Sequence, residues 1–166
     1  MTRRGTTDVD EVHTMTPTIQ PTDAAALESQ WQTRMLDALL AASPGVNDGD
    51  VLRLVRSGIT IRVFEVFAAR LHLPDALILS KASITRRHIQ QKRLTLSESD
   101  FLVRVVRVVG LVGQLTGDER SAIKWMGSPL FDLAESPGTS ALELLRTSAG
   151  AKIVETMVRR TANGIY

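Results

Sequence analysis

Apolar residues recur along this chain at spacings of three and four, and strict alternation is almost absent, so the pattern predicts helices nearly throughout. Leu27, Trp31, Met35, Leu36, Leu39 and Leu40 form one stripe of a helix that Asp23 can cap. The run Ser43-Pro44-Gly45-Val46-Asn47-Asp48-Gly49 breaks it. A short amphipathic segment from Asp50 to Val55 ends near Gly58, read as a turn residue, and Thr60 opens a helix carrying Val63, Phe64, Phe67, Ala68 and Leu71. Leu73-Pro74 restarts the chain, with short helices expected over Asp75 to Ser80 and, after a Ser83 cap, over Ile84 to Lys92. A cap at Ser97, with Glu98 and Asp100 in the first turn, predicts a helix from about 98 to 115 whose apolar side is Phe101, Leu102, Val105, Val106, Val109 and Val112. Its many valines favour strands, but that length suits a helix far better.

Asp118 starts a helix over Glu119 to Met126, which Gly127-Ser128-Pro129 closes. Ser140 with Glu143 three residues on is a capping box for Ala141 to Leu145. Thr147 opens a last helix, Ser148 to Ala162, closed by Asn163-Gly164. Chain ends usually lose their pattern. This one keeps it to Gly164-Ile165-Tyr166, which predicts an end held against something. The expected class is all-α. The organisation reads as a flexible tail over 1–22, an N-terminal helix and linker over 23–49, a helix-turn-helix unit over 50–113 and a small helical unit over 114–166.

Charge sharpens that division. Residues 1–50 hold three arginines against eight carboxylates, whereas residues 81–107 hold seven Lys and Arg against Glu98 and Asp100. The basic stretch includes the second helix of the helix-turn-helix spacing. There Thr85, Arg86, Gln90 and Arg93 offer donors to base edges, Lys81, Arg87, Lys92, Arg104 and Arg107 offer charge to phosphates, and the capping Ser83 is counted with the DNA-contacting set. Two readings stand side by side: a DNA-reading face, or an ordinary solvated basic face. His72 reads as a helix-end or surface residue, and His88 as a phosphate or surface contact.

Several chemistries have no support. The chain has no cysteine, hence no thiolate nucleophile and no Cys-based zinc site, and it has no paired-histidine metal spacing. Gly-rich phosphate loops and nucleotide fingerprints are missing. Asp118-Glu119 and Asp132 with Glu135 read as capping or surface carboxylates, and Ser148 near Lys152 and Glu155 lacks a base. No enzyme, metal or cofactor is expected. No apolar run reaches membrane-spanning length and the start carries no secretory pattern, so the expected location is cytoplasmic, without membrane contact.

Residues 115–166 resemble the toxin-binding domain of the Xre/MbcA/ParS family of bacterial antitoxins. The likeness is carried by Ala122-Ile123-Lys124-Trp125-Met126, Pro129-Leu130-Phe131, Ser140-Ala141-Leu142-Glu143-Leu144-Leu145, Thr147-Ser148-Ala149-Gly150-Ala151, Val154-Glu155 and Gly164-Ile165-Tyr166. Residues 50–113 resemble the Xre-like helix-turn-helix domain of that family through Gly58-Ile59, Leu71-His72-Leu73, Ser83-Ile84-Thr85-Arg86-Arg87 and Leu96-Ser97-Glu98-Ser99-Asp100. Asp132 to Thr139 departs from the family's Pro-rich wording, and the N-terminal 50 residues fall outside the resemblance.

The resemblance implies a partner, a RES-domain toxin that consumes NAD, and neutralisation by a C-terminal region placed at the mouth of the toxin's pocket. It also implies operator DNA bound through the helix-turn-helix, with autorepression, a homodimer and higher-order toxin–antitoxin complexes. By position, the toxin-facing set would be Lys152, Glu155, Arg159, Arg160, Asn163, Gly164, Ile165 and Tyr166, with Ile153, Val154, Met157 and Val158 in core or interface. The competing reading is a stand-alone helix-turn-helix regulator whose C-terminal domain only dimerises.

Overall fold

In the computed structural model, which describes residues 21–73, 93–130 and 137–164, the valine-rich segment is a helix and everything else is arranged around it. The elements are α1 (Pro21–Leu40), α2 (Asp48–Ser57), α3 (Ile61–Arg70), α4 (Leu96–Thr116), α5 (Glu119–Gly127), β1 (Pro129–Leu130), β2 (Thr139–Ser140), α6 (Ala141–Leu144) and α7 (Ser148–Ala162). The all-α expectation holds. β1 and β2 make a two-residue antiparallel pair, Pro129 opposite Ser140 and Leu130 opposite Thr139, that closes the base of the intervening segment.

Valine suits α4 because the helix is buried on nearly every side, so packing overrides its weak helix propensity. Leu102, Val105, Val106, Val108 and Val109 are all fully buried. α1, α2, α5 and α7 all pack on α4. Gly110 is where α1 comes closest: a Cβ there would lie 2.5 Å from the carbonyl oxygens of both Leu39 and Leu40. The helix ends at Gly117, whose φ of 87° is the left-handed turn that favours glycine.

Three helix starts differ from the sequence expectation. α1 begins at Pro21 rather than after an Asp23 cap, and proline's fixed φ suits a first helical turn. α2 begins at Asp48, since Asn47 is extended and its side chain accepts from the Asp50 backbone N–H at 2.9 Å. α4 is capped by Thr95, not Ser97. Thr95 and Glu98 form a reciprocal capping box, with the Thr95 N–H donating to Glu98 Oε2 at 2.8 Å. The remaining caps fall as expected: Thr60 for α3, Asp118 for α5, Ser140 with Glu143 for α6, and Thr147 for α7.

Candidate functional site

Two regions carry the sequence-derived candidates. The first is a neck where the turn between α2 and α3 meets the chain returning at Arg93 and Leu94. α2 ends at Gly58, whose φ of 73° turns the chain inward and where a Cβ would meet the Leu94 carbonyl oxygen at 2.9 Å. Just beyond, Thr60 and Arg93 form an antiparallel bridge, and the Leu94 N–H donates to the Ile59 carbonyl at 2.7 Å. Turn and returning chain are therefore bound to each other.

Polar groups buried against this neck come from elsewhere in the chain. Gln32 of α1 is fully buried and satisfies both flanks of the turn: its amide donates to the Gly58 carbonyl at 3.0 Å and accepts from the Thr60 N–H at 2.9 Å. Buried Ser99 of α4 accepts from the Ile59 N–H at 3.1 Å. These three contacts answer backbone groups that neither helix nor sheet satisfies.

Arg93 lies across the neck. Both terminal nitrogens of its guanidinium donate to Glu28 of α1, one of them at 2.8 Å, and the same nitrogen donates at 3.1 Å to the carbonyls of Ser57 and Gly58. The hydrogen bond from Arg93 holds the Glu28 carboxyl below its ordinary range against a smaller opposing effect of burial, and Glu28 in turn raises Arg93. This two-pronged geometry fixes direction as well as charge. Close by on α1, Trp31 carries the Arg53 guanidinium 4.7 Å above its ring.

Of the candidate DNA-contacting residues, Lys81, Ser83, Thr85, Arg86, Arg87, Gln90 and Lys92 lie outside the described residues. Arg93 is engaged within the protein, as just described. Arg104 turns away to Asp100 and, at 2.7 Å, to the carbonyl of Leu145 at the end of α6. Arg107 makes a long contact of 3.4 Å with a nearly fully exposed Asp48. His72 is exposed at the end of α3 with a φ of 50°.

The second region is the α6–α7 corner. Buried Ala141 and Leu145 anchor the capped turn, and Gly150 presses against its backbone: a Cβ there would sit 2.7 Å from the Leu144 carbonyl carbon. Ala151, Val154 and Val158 fix the inward side of α7. Lys152, Arg159 and Arg160 are exposed and Glu155 half-buried, and none of the four has an ion-pair partner among the described residues. Asn163 and Gly164 are also exposed, Gly164 with a φ of 67°. So six of the eight C-terminal candidates lie along α7 and just past its end, five of them exposed, while Ile165 and Tyr166 lie outside the described residues. Ile153 is 40% exposed rather than packed. Arg159 also borders a cleft of about 290 Å³ shared with Arg107, Gln114 and the turn after α1.

Sequence reading did not single out Glu28, Gln32 or Ser99. A signal existed for Gln32: it stands one turn before Leu36 and beside the apolar stripe of α1, a place where a polar residue needs a buried partner. Among the described residues, no three of His, Asp and Glu gather to hold a metal ion, and no helix is long and apolar enough to cross a membrane.

No protein-family model matches the chain. A curated relative does: over 152 residues it is 30% identical to the protein named Antitoxin Xre of Yersinia enterocolitica serotype O:8 / biotype 1B, a match covering 88% of this chain and 96% of that one.

Proposed function

Because the chain belongs to the Xre antitoxin family, we propose that it neutralises a RES-domain toxin by closing the toxin's NAD pocket with its C-terminal region, and that it represses its own operon through residues 81–92. In this reading 50–113 is the DNA-binding unit, 114–166 the toxin-binding unit, and dimers bridge larger toxin–antitoxin complexes. The antitoxin role is the part the relative carries. The identity of the toxin and the autorepression rest on the family resemblance of residues 50–113 and 115–166.

The structural observation that favours the C-terminal assignment is the end of α7. Lys152, Arg159, Arg160, Asn163 and Gly164 are presented to solvent by a helix whose other side is fixed by Val154 and Val158. A helix fixed along its inward side needs little backbone ordering on binding, so the remaining cost is that of immobilising the displayed Lys and Arg side chains, about 0.5–1.5 kcal/mol each. Guanidinium and ammonium groups also suit a pocket that takes a phosphate-bearing dinucleotide only if they meet carboxylates at its rim, so the toxin surface around that pocket is expected to be acidic.

The test is NAD consumption by a RES-domain protein, sought among the products of genes beside this chain's own. Full-length protein should suppress it, and a variant lacking residues 160–166 should not, while both still retard the DNA upstream of the gene. Suppression by the truncated form would place the toxin contact elsewhere. Stable binding with continued NAD turnover would mean that neutralisation works by another route than pocket closure, and absence of any binding would point to the stand-alone regulator.

A further inference from the structure

The cleft beside Arg159 is built by three parts of the chain that are far apart in sequence. α4 supplies Arg107 and Gln114, α7 supplies Arg159, and the turn after α1 supplies Ser43. Its walls are fixed before anything binds. Gln114 donates to the Ala41 carbonyl at 3.2 Å, and the Ser43 N–H donates to the Ala38 carbonyl at 3.0 Å, so the turn is tied both to α4 and to its own helix. On α7, Val158 next to Arg159 is buried.

The charge of the cleft is one-sided. Among the described residues two guanidiniums line it and no carboxylate does. Arg159 has no ion-pair partner among those residues. Arg107 has the 3.4 Å contact with a nearly fully exposed Asp48, and so solvated a pair holds little. Guanidiniums stay protonated at any working pH, so the cleft keeps a positive potential that suits an anion. Size narrows the choice. At about 290 Å³ the cleft lies at the floor of the range for small-molecule pockets, which begins at about 300 Å³, so it fits one side chain better than a nucleotide. A carboxylate is the anion that a side chain carries, and its two oxygens match the parallel N–H donors of a guanidinium.

We propose that this cleft receives an Asp or Glu side chain of the partner toxin, held by Arg107 and Arg159. The inference rests on the antitoxin reading given above and deepens it. The toxin-facing surface then extends from α7 onto α4 and the turn after α1, and Arg107 belongs to the toxin rather than to DNA.

The experiment measures the affinity of the full-length protein for a RES-domain protein sought beside its gene, in wild type, Arg107→Gln, Arg159→Gln and the double variant. Arg120→Gln, at an exposed arginine of α5 outside the cleft, is the control. Both cleft arginines lack a strong partner within the protein, so the variants should fold, which urea midpoints equal to that of the wild type would show. Each single variant is expected to weaken binding about 10-fold, the order of one hydrogen bond to a charged group. Two arginines on one carboxylate are coupled, so the double variant should depart by about 2-fold or more from the product of the single losses. Arg120→Gln should bind as the wild type does. On the duplex upstream of the gene, Arg107→Gln should keep the wild-type salt slope.

A wild type that binds no such RES-domain protein overturns the toxin reading and the cleft assignment with it. A wild type that binds, beside an Arg107→Gln that binds equally, overturns the cleft assignment alone. So do single losses that simply multiply, which would mean separate partner groups. A salt slope on the duplex reduced by about one in Arg107→Gln would make Arg107 a phosphate contact and overturns it as well.

Discussion

Gly150 is the residue at which the α6–α7 corner is least tolerant of change. It is inside a helix, where glycine costs about 0.5–1 kcal/mol relative to alanine, so its presence there needs a reason. The Leu144 backbone is that reason: its carbonyl carbon would lie 2.7 Å from an added Cβ, and backbone cannot swing aside as a side-chain end would. Gly150→Ala should therefore destabilise the protein by about 2–3 kcal/mol, as overpacking does, read as a lowered urea midpoint. Gly127, which meets nothing within 4 Å, is the control. Gly127→Ala should be neutral or slightly stabilising, and a comparable loss at both positions would show that the α6–α7 contact is not the cause.

At the scale of the element, most starts and stops are set by single side chains, and several of those are carboxylates with lowered pKa. Backbone and hydroxyl hydrogen bonds from Ser140 lower Glu143, bonds from Ser121 lower Asp118, and Arg93 lowers Glu28. A carboxyl whose folded pKa lies below its unfolded one stabilises fully above the unfolded value and loses that contribution as pH falls through the folded one. Stability should accordingly be flat near neutrality and decline on the acid side of the ordinary carboxylate range. Thermal unfolding across that range should show a shallower decline in Glu28→Gln, whose residual arginine contact no longer titrates. An unchanged slope would mean that the neck ion pair is as weak as a fully solvated one.

How much of this was legible in the sequence also divides by element. The α6 and α7 starts were readable because Ser140, Glu143 and Thr147 stand immediately before apolar runs, where only a cap makes sense. The α4 start was misread by two residues because Thr95-Leu96-Ser97-Glu98 holds two hydroxyl candidates. Only Thr95 has a glutamate three residues on, the spacing that lets both partners bond reciprocally. The outward set on α7 comes from the family resemblance, and the three-and-four spacing of Val154 and Val158 adds only which side of the helix faces inward. The neck could not be read, since it joins Glu28 to Arg93 and Ile59 to Ser99 across long separations, and periodicity carries no information about such pairings.

For the molecule as a whole, α4 is a shared wall. α1, α2, α5 and α7 all lean on it, and Arg104 ties the wall to the end of α6. Arg70 adds a surface brace, pairing with Asp37 of α1 at 2.9 Å and Glu119 of α5 at 2.6 Å. The protein holds two tryptophans, on two different helices that pack on α4: Trp31 in α1 and Trp125 in α5. Fluorescence of Trp31→Phe and Trp125→Phe should thus each report one half. If the wall makes a single cooperative unit, denaturant midpoints from the two probes should coincide once each variant's own stability is measured by circular dichroism. Separate midpoints would mean that the halves unfold independently despite sharing α4.

The neck has a consequence for how such a protein changes over generations. The Thr60–Arg93 bridge pins the turn between α2 and α3 to the returning chain, and Gln32 and Glu28 pin both to α1, so these ties involve no residue between Leu73 and Arg93. A lineage can therefore change the wording of that stretch without touching a partner in the neck or in the corner that α7 builds.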